Sequence, residues 1–128
     1  MPELAFRDGV MDRIRMRESR YDEQAYLFML SALEYAQSKL DARRHINAAE
    51  LGDACRELAL ERFGLMSRIV LERWGIRSTS DLGEIVFTLV ELGFLVKQPN
   101  DTREEFAGLY DFESAFVRNY PWNLAHNG

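Results

Sequence analysis

The sequence predicts a mainly α, single helical domain that closes on a small β-hairpin, and three observations carry that expectation. Apolar residues recur at three- and four-residue spacing along most of the chain, the mark of helices with one buried face. Gly64, Gly75 and Gly93 stand where successive helices would stop. The stretch DLGEIVFTLVELGFLVK, from Asp81 to Lys97, passes from an amphipathic helix through Gly93 into Phe94, Leu95 and Val96, which read as an extended run.

The elements follow in order. A first, peripheral helix is expected within residues 1–20, with Phe6, Val10 and Ile14 as a thin stripe that Gly9 weakens by roughly 1 kcal/mol. Asp22 caps a stronger helix from Glu23 to Leu40, whose face is Tyr26, Met29, Leu30, Leu33, Ala36 and Leu40. His45 and Ile46 can form a very short extended piece. Asn47 with Glu50 three residues later then starts a helix that buries Leu51, Ala54, Cys55, Leu58 and Phe63. Met66, Ile69, Val70 and Trp74 outline a short fourth helix, and Ser78, Thr79 and Ser80 offer N-caps for the fifth. Beyond the extended run, Asp101 or Thr102 could cap a short helix with Phe106, Leu109 and Tyr110 inward, or Tyr110 to Phe112 could pair with Phe94 to Val96. The tail, residues 120–128, lacks periodicity and is expected to be a flap or a flexible end.

With 128 residues and 47% hydrophobic content, one domain can bury a core without staples. A single cysteine, Cys55, excludes an internal disulfide and sits on an apolar helical face. No apolar run reaches the roughly 18 residues of a membrane span, and the opening MPELAFRDG lacks an export signal, so a cytoplasmic protein away from membranes is expected. Net charge is −5, and residues 78–128 hold eight acidic against three basic side chains. Asp81, Glu84 and Glu91 are the only charges of the fifth helix before Lys97, so that helix would repel a phosphate backbone. Arg13, Arg15, Arg17 and Arg20, and again Arg68, Arg73 and Arg77, are interrupted by acids and read as solvated faces.

Catalytic groups are scarce. His45 and His126 are the two imidazoles, and His45, just ahead of a helix start, is expected to satisfy a local hydrogen bond or face water. Asp101, Glu104 and Glu105 are the densest carboxylates, but their spacing fits no calcium loop and suits the first turn of a helix. Neither GxGxxG nor GxxxxGK(S/T) occurs. No catalytic, cofactor-binding or metal-ligating residue is therefore nominated, and the chain is not expected to be an enzyme. Catalysis by carboxylates alone would need two acids converging in one pocket. Two aromatic residues suit an interface: Phe87, off the main stripe of its helix, and Trp122, on the tail. With the acidic side chains around them they define a protein-binding surface of Glu84, Phe87, Glu91, Glu104, Glu105 and Trp122.

The blocks RYDEQAYLFMLSALEY, HINAAELGDACRELALERFG, VLERWGIRSTSDLGEIVFTLVELGFLVK and YDFESAF resemble those of a small bacterial family of conserved hypothetical proteins. That resemblance implies one domain and brings no reaction, cofactor or partner. Residues from His45 to Phe112 also resemble winged-helix domains at the level of fold, with the run after Gly93 as the first hairpin strand. An extra helix, a long acidic wing and a recognition-like helix without Arg or Lys depart from that pattern. The expected function is a protein-binding or regulatory module. The alternative is a winged-helix DNA-binding regulator whose dimer presents the arginines of the first and fourth helices.

Overall fold

The computed structural model describes residues 20–42, 44–96 and 101–118. Among the described residues four α-helices carry the fold: α1 (Glu23–Ser38), α2 (Ala48–Phe63), α3 (Ser67–Arg73) and α4 (Thr79–Glu91). Short 3-10 turns span Gly64–Met66 and Arg103–Phe106, and one π-type turn spans Ser114–Arg118. The expected peripheral helix of residues 1–20, all but Arg20, and the tail with Trp122 lie outside the described residues.

α1 is the central element because its buried face is continuous. Asp22 caps it by accepting from the Gln24 amide at 2.8 Å, and Ala25, Tyr26, Met29 and Ala32 lose all contact with solvent. α2 begins with the reciprocal Asn47–Glu50 capping box that the sequence predicts, at 2.8 and 3.1 Å. It buries Leu51, Ala54, Cys55 and Leu58, with the Cys55 sulfur 3.9 Å from that of Met29. Phe28, Phe63 and Trp74 close the far corner, their ring centroids 5.6 to 6.3 Å apart.

α3 follows only part of the face its apolar residues outline: Trp74 packs on Phe28 and Phe63, but Met66 and Ile69 turn outward. Leu71 and Ser67 are buried, whereas Met66 and Ile69 are 53% and 52% exposed beside Leu65 at 62%. The Ser67 hydroxyl lies 2.9 Å from the Ala59 carbonyl and 2.7 Å from that of Gly64, which pins the start of this seven-residue helix. At its end the Ile76 amide donates to the Leu71 carbonyl and the Gly75 amide to that of Glu72, a Schellman stop. Gly75 is required there. Its φ is +95°, and a Cβ would meet the Arg20 carbonyl oxygen at 2.7 Å.

α4 starts at Ser78. Asp81 fastens that start: one carboxylate oxygen accepts from the amides of Arg77 and Ser78 at 2.8 and 3.1 Å, and the other from the Tyr21 hydroxyl at 2.6 Å. Leu82, Ile85 and Leu89 are buried as the stripe predicts. The helix ends in a second Schellman stop, with Gly93 at φ +86° and the Phe94 amide donating to the Leu89 carbonyl.

The hairpin, and with it the winged-helix-like architecture, is corrected: no strand occurs among the described residues, and the fold is helical. The Phe94 amide is committed to the cap of α4, so it is not offered to a ladder, and Val96 is 90% exposed. Residues 110–112 pack elsewhere. The Tyr110 hydroxyl donates to the Gly52 carbonyl at 2.8 Å, Phe112 and Phe116 are buried against each other, and the Asp111 carboxylate accepts from the Ser114 amide at 3.0 Å to begin a helical turn. His45 and Ile46 likewise remain in a loop.

Two helix-interior glycines admit this C-terminal segment. A Cβ at Gly52 would lie 2.7 Å from Leu109 Cδ1, and one at Gly83 would lie 3.0 to 3.1 Å from Phe106. Each glycine costs its helix about 1 kcal/mol relative to alanine, and at Gly83 the burial of Phe106 offsets that loss. No helix among the described residues is long and apolar enough to cross a membrane.

Candidate functional site

The place where α4 meets the 101–106 segment is incompletely filled. A pocket of about 340 Å³ opens there, bounded by the C-terminal half of α1, the loop before α2, the first turn of α2, α4, residues 95–96 and residues 101–106. Leu33, Leu51, Val86, Val90, Leu95 and Phe106 form its apolar walls, and Gln37, His45, Asp101 and Glu105 supply its polar groups. The walls arise because α4 is covered on this side by a single 3-10 turn, Arg103–Phe106, which seats Phe106 on Gly83 but is too short to fill the space beside it.

Three interactions fix the polar side. The Gln37 side-chain amide donates to the Arg44 carbonyl at 2.7 Å and so ties the end of α1 to the loop carrying His45. Arg44 grips Glu50 in a bidentate pair, and Glu50 also accepts from the Asn47 amide. The Arg44 guanidinium and that amide hold the Glu50 carboxyl down at about 2. His45 Nε2 then lies 3.0 Å from an Asp101 carboxylate oxygen, joining the loop before α2 to the segment after α4. In place of the local hydrogen bond or water expected of it, His45 has a partner 56 residues away in the chain, and the pair lines a pocket.

The Gln37 carbonyl oxygen is buried and has no hydrogen-bond partner among the described residues. Because the amide nitrogen is firmly assigned by its bond to Arg44, the orphan atom is an acceptor. Leaving such a group unsatisfied costs about 1 to 3 kcal/mol.

Most of the nominated protein-binding residues surround this place. Arg103 lies 2.8 Å from Glu91 and 3.8 Å from Glu84, and its guanidinium sits 5.7 Å above the Phe87 ring. Phe87 is half-buried and lines the pocket, so it serves as wall as well as surface. Glu105 lines the pocket too, and Glu104 is exposed beside it. Trp122 lies outside the described residues. Sequence reasoning missed Gln37, whose partner stands across a chain break in periodicity. It also passed over Gly83, a helix-interior glycine whose local cost was the available signal that another segment approaches closely.

Chemically, the pocket presents acceptors over an apolar floor. Among the described residues no lysine or arginine lines it, and no group of three or more His, Cys, Asp or Glu side chains is arranged to hold a metal ion. Cys55 lies in the core, where burial pushes its thiol up to about 12 and keeps it neutral and unreactive. No protein-family model, curated protein or solved structure matches the chain.

Proposed function

We propose that this chain is a cytoplasmic protein-binding module without a reaction of its own, and that it engages a basic segment of a partner at the outer face of α4 and the 101–106 segment. The observation that carries this reading is the meeting of Glu84, Phe87 and Glu91 with Arg103, which Glu104 and Glu105 follow in the chain, so that among the described residues four carboxylates stand with one arginine. Acidic groups around a half-buried aromatic ring favour a cationic partner through charge complementarity and an anchoring contact. The family of hypothetical proteins that the sequence blocks resemble is taken as the setting of this role. The duplex-binding alternative is less well supported, since no wing exists among the described residues and Arg68 is paired with Glu72 at 3.1 Å.

The test is affinity capture from bacterial lysate with wild-type protein and a Glu104→Lys plus Phe87→Ala variant as baits, at low and high salt. A protein retained by the wild type, released by salt and missed by the variant supports the reading. A duplex shift abolished by Arg68→Ala plus Arg73→Ala, or turnover of a metabolite by the purified chain, overturns it.

A further inference from the structure

We propose that the exposed apolar face at the start of α3 is the seat of this chain's own last segment, residues 119–128, with Trp122 as its anchor. The acidic face on α4 and the 101–106 segment plays no part in this contact.

The exposed side chains are clustered. Leu65, Met66 and Ile69 stand at three- and four-residue spacing, which puts them on one side of the chain, and they point away from the core that takes Ser67 and Leu71. The other large apolar side chains exposed among the described residues are Val96 and Val117, and Val117 belongs to the 114–118 turn that packs on α3. A grouping of this kind marks a surface that something covers. The adjacent Arg68 is met by Glu72 at 3.1 Å within α3, so that guanidinium asks the occupant for no countercharge.

The place where the described chain stops selects the occupant. The turn Ser114–Arg118 rests on α2 and α3, with Ala115 and Phe116 buried and Val117 45% exposed, so residue 119 sets out from beside the apolar face. The ten residues that follow, NYPWNLAHNG, contain no Asp, Glu, Lys or Arg. Tyr120, Trp122 and Leu124 alternate along them, the spacing that brings three side chains to one face of an extended segment, and Pro121 biases Tyr120 toward that backbone. At about 3.3 Å per extended residue Trp122 reaches about 13 Å from Arg118, more than the roughly 10 Å length of the seven-residue α3. Its indole brings on the order of 150 to 250 Å² of surface to bury, and the Met66 thioether is a favourable neighbour for an aromatic ring. Residues 1–19 suit the face less well. They carry eight charged side chains, and they join the described chain at Arg20, whose carbonyl oxygen lies beside Gly75, past the end of α3 that is remote from Met66.

Side-chain NMR of the full chain tests this, with Trp122→Ala assigning the Trp122 indole against that of Trp74. Nuclear Overhauser contacts from the Trp122 ring to Met66 and Ile69 are expected in the wild type and unchanged on dilution. They are expected to be lost in Ile69→Glu and kept in Val96→Glu, the same kind of change at an exposed apolar residue outside the cluster. Absence of every contact between Trp122 and α3 in the folded wild type overturns the proposal, however the variants fold. So do contacts to Met66 from Phe6, Val10 or Ile14 in place of Trp122, which would give the face to the first segment of the chain. Contacts that fade on dilution while the mass halves would give it to a second copy and overturn the proposal as well.

Discussion

The α1–α2 interface and the pocket between α4 and residues 101–106 are made of the same materials, apolar helical faces with a few polar side chains, yet one is closed and the other open. Along α1 and α2 two long helices pack against each other, and Tyr26, Met29, Ala32 and Ala59 are fully buried. On the other side α4 is met by a four-residue turn, in which Phe106 packs on Gly83 and Arg103 pairs with Glu91. Space remains, and Gln37, His45, Asp101 and Glu105 stand around it. The lesson is that a pocket can arise from a mismatch in element length, where a helix is covered by a segment too short to pack its whole face.

If that contrast is right, the closed side governs stability. Met29→Ala opens a cavity in the core and is expected to cost about 2 to 5 kcal/mol in urea unfolding. A loss under about 1 kcal/mol would show that the α1–α2 interface is no tighter than the pocket side.

Gly83→Leu attacks the seam between the regions. The new side chain meets Phe106 and is expected to cost about 1 to 3 kcal/mol while dislodging the 3-10 turn. Amide NMR shifts of residues 101–106 should change even in the fraction that remains folded, and unaltered shifts would mean that Phe106 is not seated on Gly83.

Alkaline pH sharpens the comparison further, because the closed side holds ionisable groups neutral. Burial pushes the Cys55 thiol up to about 12, burial raises Tyr110, and burial with the Asp81 carboxylate raises Tyr21. The unfolded chain ionises such groups at their ordinary values while the folded chain does not, so their contribution is full below about pH 9 and is lost as pH rises. For Cys55 alone the slope reaches about 1.4 kcal/mol per pH unit above its unfolded value. Thermal melts from pH 7 to 11 would show it, and a thiol reagent should label Cys55 only on unfolding.

The smallest effect belongs to the open side. Arg44→Ala removes an exposed pair, so melting at neutral pH should hardly change, while the loop carrying His45 loosens and its amides exchange faster with solvent. The Glu50 contribution is present above the ordinary carboxylate range and fades as pH falls toward about 2. A wild-type protein whose acid melt matches that of Arg44→Ala would remove this fastening from the description.

What could be read in the chain alone was local. The Asp22 cap, the Asn47–Glu50 capping box, the buried stripes of α1, α2 and α4, and the glycine stops at Gly75 and Gly93 each depend on residues within one or two helical turns, and they appear where the sequence puts them. Phe94 to Val96 was misread because an apolar run of three carries no period, and a strand exists only if a distant partner accepts its amides. Here the helix cap takes the Phe94 amide, and Tyr110 bonds to Gly52 instead. The α3 face was misread in part for a related reason: seven residues hold too few turns to set their own orientation against the Ser67 anchor. The pocket belonged wholly to tertiary structure, since Gln37, His45, Val86 and Asp101 come from four separate stretches that only packing brings to one place.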